Sequence, residues 1–135
     1  MPLLTWNESY SVNIREIDTQ HKKLIELINN LHDGMKLGKG KEVTGSVLNE
    51  LANYTGFHFK TEEKLFDKYG YPETLKHKRQ HDDLVEEVMS FKKSFDEGKG
   101  LVTVDLMLFL KNWLTNHIIN SDKNYTKFLN SKGVQ

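Results

Sequence analysis

The chain has 135 residues, 37% of them hydrophobic and 28% charged, which is typical of a globular domain with a real core. Nineteen basic residues balance nineteen acidic ones, which argues against a nucleic-acid or anionic-membrane binder, and the absence of cysteine excludes disulfides and thiolate chemistry. The first ten residues lack the features of a signal peptide, and no apolar run approaches the ~20 residues of a membrane span. We therefore expect a soluble, cytoplasmic protein.

Three glycine-containing breaks divide the chain into four long segments: Gly38-Lys39-Gly40, Gly70-Tyr71-Pro72 and Gly98-Lys99-Gly100. Three of the segments show strong helical periodicity, and the fourth is apolar on almost all sides. We predict an N-terminal arm over residues 1–17 and helices at about 18–37, 42–69, 73–97 and 102–129. Asp18 or Thr19 would be the N-cap of the first helix. Long helices with short connections predict an all-α fold, an up-down-up-down antiparallel four-helix bundle, as a single domain over residues 1–135.

The second helix carries polar residues on its apolar side. Its predicted inward stripe consists of Val47, Leu51, Tyr54, His58, Glu62, Leu65 and Tyr69. His58 and Glu62 are four residues apart and therefore share one face. Glu63 projects about 100° from Glu62, so we assign it to the surface.

Most of the six histidines fall at one end of the predicted bundle. In an antiparallel up-down bundle, the starts of the first and third helices meet the ends of the second and fourth. This rule brings together five histidines and two carboxylates, namely His21, His58, Glu62, His77, His81, His117 and Asp122. His32 is eleven residues after His21, about 16 Å along the helix, and has no predicted metal role.

Each of these residues has an ordinary alternative. A single inward histidine is usually a hydrogen-bonded core residue, and a Glu four residues from a His is commonly a surface pair. Five imidazoles and two carboxylates in one apolar layer are nevertheless costly to bury without partners, and a metal centre uses such ligands. With bridging carboxylates and a bridging solvent oxygen, two six-coordinate ions would keep one open position. The ligand set suits iron, but also copper and manganese, and is too rich for four-coordinate zinc.

One spacing does not fit a regular helix. His117 and Asp122 are five residues apart and diverge by about 140° on an ideal α-helix. Either the metals lie to one side of this helix, or the helix is locally distorted.

Four segments carry a family resemblance: IDTQHKKL (17–24), HFKTEEKLF (58–66), YPETLKHKRQH (71–81) and WLTNHIINSD (113–122). With their H, HxxxE, HxxxH and HxxxxD patterns in this order, the sequence resembles the hemerythrins, most closely their single-domain bacterial members, over essentially the whole chain. One departure lies at Asn13-Ile14, where many relatives have a glycine nearby.

The resemblance implies a non-heme di-iron centre, two iron ions with a bridging oxo or hydroxo group, that binds O2 reversibly in a monomer. It implies that His77, His81 and His117 ligate one iron, that His21 and His58 ligate the other, which keeps the open position, and that Glu62 and Asp122 bridge. It also implies that Leu114 and Trp113 line the O2 pocket. The alternative is that both are plain core residues.

The leading hypothesis is therefore an O2-binding protein for storage, delivery or sensing, and not an enzyme. Its main rival is a di-iron oxidase or peroxidase. Redox enzymes of the ferritin-like type use carboxylate-rich sites with Glu-x-x-His motifs, whereas this set is rich in histidine. Metal storage is a further alternative, which a single enclosed site would serve poorly.

Overall fold

The computed structural model describes the backbone of residues 4–36, 40–97 and 103–135. Side chains are described over the same ranges except residues 34–36, 40–44, 95 and 103–106. The predicted end of the first helix at Leu37 and the predicted start of the fourth at Val102 lie outside the described residues.

Every regular element of the described chain is helical. A 3-10 turn at Glu8–Tyr10 precedes α1 (Arg15–Lys36), α2 (Gly40–Tyr69) and α3 (Thr74–Asp96). The fourth long helix consists of α4 (Thr103–His117), a π-helical turn at Ile118–Asp122, and α5 (Lys123–Ser131). Helix α2 packs against α1 and α3, and α1 packs against α4, so the predicted all-α four-helix bundle is confirmed. None of the described helices is long and apolar enough to cross a membrane.

The first helix begins earlier than predicted. It starts at Arg15, so neither Asp18 nor Thr19 is its N-cap, and residues 15–17 belong to the helix instead of the predicted arm. The Asp18 carboxylate instead accepts hydrogen bonds from the Val12 backbone N–H at 2.8 Å and the Ser11 hydroxyl at 2.6 Å. Asn13, two residues before the helix, has φ 55°, a left-handed conformation that asparagine and glycine tolerate best.

The buried apolar side chains form two clusters. One lies along the bundle and includes Leu27 and Leu31 of α1 with Phe59 of α2. The other joins Ile17 and Phe66 to residues of the C-terminal helix, including Tyr125 and Leu129. Phe59 stacks on His81 at 3.7 Å between ring centroids, and Phe66 meets His77 edge-on at 4.9 Å. Aromatic rings of both clusters therefore contact the histidines.

The inward face of α2 is wider than the predicted stripe. Leu51, His58 and Glu62 are buried as predicted, but Tyr54, Leu65 and Tyr69 are only partly buried. Phe59 and Phe66, which were not in the stripe, are buried instead. The reason is that α2 packs against two neighbouring helices, so two adjacent faces are covered.

A core leucine on α1 offers a test of this packing. Leu27 is completely buried, so Leu27→Ala should lower the free energy of unfolding by about 2–5 kcal/mol through lost burial and a residual cavity. The matched control is Leu75→Ala on α3, because Leu75 is 79% exposed and its replacement should change stability by no more than about 0.5 kcal/mol. Urea unfolding measures both, and equal losses would contradict the described core.

Candidate metal centre

The structure brings the seven predicted side chains into one buried cluster. Each of them is at least nine-tenths buried, and Glu62 and Asp122 are completely so. The Nε2 atoms of His21, His77 and His117 lie 2.9 Å, 3.0 Å and 3.0 Å from oxygens of Asp122. Those of His58 and His81 lie 3.1 Å and 3.3 Å from Oε1 of Glu62. His32 is not part of this cluster: its Nδ1 lies 3.9 Å from Asp33.

The cluster divides into two overlapping sets of possible ligands. In each set the ligand atoms lie within 4.8 Å of one another, which is close enough to surround one ion. The first set contains Glu62, His77, His81, His117 and Asp122, and the second contains His21, His58, Glu62 and Asp122. The two carboxylates belong to both sets. A carboxylate that offers one oxygen to each of two neighbouring ions can bridge them, so the arrangement suits two metal ions.

The π-helical turn accounts for the five-residue spacing of His117 and Asp122. In a π-helix the backbone bonds run from i to i+5, so one extra residue is accommodated in the turn. The turn spans Ile118–Asp122 and begins directly after His117. A five-residue step therefore comes close to one complete turn, and both side chains reach the cluster. Of the two explanations that the sequence left open, the local distortion is correct.

Several polar atoms at the centre of the cluster have no hydrogen-bond partner among the described residues. They are Nε2 of His21, His77, His81 and His117, Oε1 of Glu62, and both carboxylate oxygens of Asp122. Their short separations do not have hydrogen-bond geometry, although buried polar groups are almost always paired. Imidazole nitrogens and carboxylate oxygens are good ligands for iron, so a pair of metal ions would fit this donor set and give these atoms partners.

The outer nitrogens of two histidines orient their rings. Nδ1 of His58 lies 2.6 Å from Oε1 of Gln20, and Nδ1 of His81 lies 3.0 Å from Oε2 of Glu63. Both partners are acceptors, so each Nδ1 carries the proton and donates it. Nε2 of each ring therefore faces the carboxylates, and it is the nitrogen that would offer its lone pair to a metal ion once it carries no proton.

The assignment of Glu63 to the surface was wrong. Its side chain is only 29% exposed and its carboxylate accepts the hydrogen bond from His81 of α3. The 100° step from Glu62 carries Glu63 away from the cluster centre but into the α2–α3 contact. Gln20 was also missed, because its partner His58 is 38 residues away and no local pattern connects them.

Tyr125 holds one of the two carboxylates that the sets share. Its hydroxyl donates a 2.6 Å hydrogen bond to Oε2 of Glu62, and the ring is completely buried. Burial raises the pKa of Tyr125 well above its usual range, and the charges of Glu62 and Asp122 raise it further, so the phenol remains a donor. The sequence pattern gave no sign of this contact.

The two buried carboxylates remain ionised. For Glu62, burial and the neighbouring Asp122 raise the pKa, but the imidazoles of His58 and His81 more than compensate and hold it below its usual range. For Asp122, burial raises the pKa, while His117, His21 and His77 together lower it well below the usual range. The carboxylates are therefore available as anionic ligands.

A small apolar cavity adjoins the cluster. It offers ≈ 20 Å³ to the centre of a water-sized molecule, which is room for about one such molecule. Leu114 and Trp113, the residues that the resemblance assigned to a pocket, both line it, together with His21, His58 and His117. Trp113 also stacks on His117, with ring centroids 4.3 Å apart and an angle of 18° between the planes.

Comparison with known proteins identifies the family. Residues 12–129 match the Hemerythrin HHE cation binding domain. The chain belongs to the hemerythrin family. It is 37% identical over 126 residues to a bacteriohemerythrin of Methylococcus capsulatus, covering 93% of this chain and 95% of that protein. It is 37% identical to a bacteriohemerythrin of Pseudomonas aeruginosa, covering 93% of this chain and 80% of that one.

Solved hemerythrin structures share the fold. The crystal structure of a wild-type hemerythrin is 36% identical and superposes with a TM-score of 0.88, covering 94% of this chain and 98% of that chain. The hemerythrin bundle is thus the architecture of this chain. The resemblance carried by the four histidine-containing segments is confirmed at the level of the family.

Removal of the Tyr125 hydroxyl tests whether its hydrogen bond to Glu62 stabilises the protein. Tyr125→Phe keeps the buried ring but leaves Oε2 of Glu62 without its donor, so the metal-free protein should lose about 1–3 kcal/mol of unfolding free energy. Tyr71→Phe is the control, since its ring lies 6.3 Å from that of Tyr125 and its hydroxyl has no hydrogen bond to the described residues. Chemical denaturation compares the two, and an unchanged Tyr125→Phe protein would refute the role.

Proposed function

We propose that this chain binds O2 reversibly at a non-heme di-iron centre. His77, His81 and His117 would hold one iron and His21 and His58 the other, with Glu62 and Asp122 bridging. The observation that carries the proposal is the pair of overlapping ligand sets that share these two carboxylates, next to an apolar cavity. When bound, two reduced irons with an oxo or hydroxo bridge would supply electrons to O2 and recover them on its release.

The chain's own residues would prepare the site in two ways. Gln20 and Glu63 hold the rings of His58 and His81 with Nε2 directed inward, and Tyr125 holds Glu62. The ligand set is histidine-rich, with two carboxylates for five imidazoles. Fewer anionic ligands stabilise high-valent iron less, which favours reversible binding over substrate oxidation.

The cavity favours the same function. Its apolar lining, including Leu24, Leu110 and Leu114, excludes bulk water and suits a small uncharged gas. Its volume is too small for an organic substrate of ordinary size. We therefore propose a binding protein for O2, not an enzyme, acting as a cytoplasmic monomer. An oxidase or peroxidase remains the competing outcome of the experiments below, and sedimentation measures the oligomeric state.

Oxygenation of the reduced protein is the direct test. After anaerobic loading and reduction, we expect about two irons per chain and about one O2 per two irons, with release on deoxygenation and repeated cycles without loss. Absorption spectroscopy and iron analysis measure this. His32→Ala should behave like the wild type, because His32 lies outside the cluster, whereas Glu62→Gln should lower iron retention and abolish reversible oxygenation.

Three outcomes would contradict the proposal. These are one iron per chain, irreversible oxidation with no oxygenated spectrum, and steady turnover of a reducing substrate in air. The last would favour the oxidase or peroxidase.

Metal removal should destabilise the fold. The unpartnered atoms at the cluster gain partners on metal binding, so the melting temperature of the loaded protein should exceed that of the metal-free protein. The matched control is the double variant Glu62→Gln, Asp122→Asn, whose melting temperature should respond little to iron because both shared ligands are weakened. Calorimetry measures the difference, and equal melting temperatures for loaded and metal-free wild type would refute it.

A further inference from the structure

A threonine hydroxyl is present in the wall of the apolar cavity. Thr55 lies on α2, three residues before His58, so both project from the same side of the helix. It is 6% exposed and lines the cavity together with Leu51 and Leu114. Within the described part of the chain, its hydroxyl makes no hydrogen bond.

Two other helical threonines, Thr61 and Thr115, behave differently, whereas the hydroxyl of Thr126 is also unpartnered among the described residues but does not line this cavity. The hydroxyl of Thr61 donates to the backbone carbonyl of Phe57, and that of Thr115 donates to the carbonyl of Lys111. This bond to the preceding turn is the usual way to satisfy a threonine in a helix. The Thr55 hydroxyl has no such partner, so its O–H remains available to another acceptor.

The position of Thr55 defines which acceptor it can reach. The other polar residues that line the cavity are His21, His58, His117 and Asp122, all of them members of the candidate metal cluster. The remaining lining is aliphatic or aromatic. Thr55 is therefore the one described lining residue that offers a hydroxyl and is not itself a candidate ligand. A hydroxyl that lines an apolar cavity without a hydrogen-bond partner is free to donate to a small ligand held there.

We propose that Thr55 donates a hydrogen bond to a small ligand held in the cavity and so sets the ligand preference of the site. This inference rests on the proposed function. The ligands favoured are those that gain negative charge or expose a lone pair at the far end when bound, such as O2 or azide. A hydrogen bond to a charged acceptor is stronger than one to a neutral acceptor, so Thr55 slows the escape of such ligands.

Thr55→Val removes the hydroxyl at nearly constant volume. In the iron-loaded protein we expect azide to bind the oxidised form about tenfold more weakly, and O2 to leave the reduced form about tenfold faster, as expected for one lost hydrogen bond. Thr55→Ser retains the O–H and should restore both quantities to within about threefold of the wild type. Thr115→Val is the matched control, because its hydroxyl bonds to its own helix, and it should change neither quantity by more than about twofold.

A second measurement separates this role from a structural one. In the metal-free protein the Thr55 hydroxyl makes no hydrogen bond to the described residues, so Thr55→Val should not lower the melting temperature. A lower melting temperature with unchanged azide affinity would show that the hydroxyl is structural and would overturn the proposal.

The two proposals fail in different ways. A Thr55→Val protein with wild-type azide affinity and O2 release overturns the role of Thr55, while reversible oxygenation stands. A wild-type protein that binds azide but not O2 contradicts the proposed function. In that case the azide affinities of the valine and serine variants still decide whether Thr55 is the donor.

Discussion

Two ionised carboxylates buried beside five imidazoles are the constraint on which this structure depends. Glu62 and Asp122 have no contact with solvent, and a buried anion is stable only next to positive charge or strong donors. The imidazoles from all four helices converge on these two groups. A single buried centre therefore connects every helix of the bundle. The donor atoms gathered there form a set in which metal ions fit, and such ions would supply the positive charge that the two carboxylates need.

The outer contacts of the histidines are as important as the inner ones. A ring that is free to rotate, or that carries its proton on the wrong nitrogen, cannot direct a lone pair inward. Gln20 and Glu63 prevent both for His58 and His81. The two partners differ in charge, since one ring donates to a neutral amide and the other to a carboxylate. The residues behind the two candidate ligand sets are consequently not equivalent, although the two central carboxylates are shared.

The cavity completes this arrangement because it lies against one side of the cluster. His21 and His58, which form the smaller set with the two carboxylates, both line it. Of the larger set, His117 also lines it, whereas His77 and His81 do not. The free volume therefore borders both imidazoles of the smaller set but only one of the three imidazoles of the larger set. Aliphatic packing from the rest of the bundle keeps this volume small and largely apolar.

Much of this protein could be predicted from the sequence alone. Helical periodicity and the glycine breaks determined four long helices, and the antiparallel order determined that His21, His58, His77 and His117 meet at one end. These are consequences of short-range geometry, because the position of a residue along a helix and the direction of that helix suffice to place it. The N-cap prediction was wrong at Asp18, because its carboxylate accepts hydrogen bonds from the preceding arm instead of capping the helix.

Only the tertiary structure decided the remainder. The structure showed that a π turn follows His117. It also showed the contact of Glu63 with His81 and the hydrogen bond from Tyr125 to Glu62, each of which joins two helices and depends on how they pack. The 100° step along α2 predicts the direction in which the Glu63 side chain projects, but it does not predict that α3 packs on that side. The cavity next to Leu114 is likewise the space that packed side chains leave unfilled. Sequence periodicity determines the direction in which a side chain leaves its own helix, whereas contact distances depend on the packing of two or more helices. For this reason the ligand types were predictable and their surroundings were not.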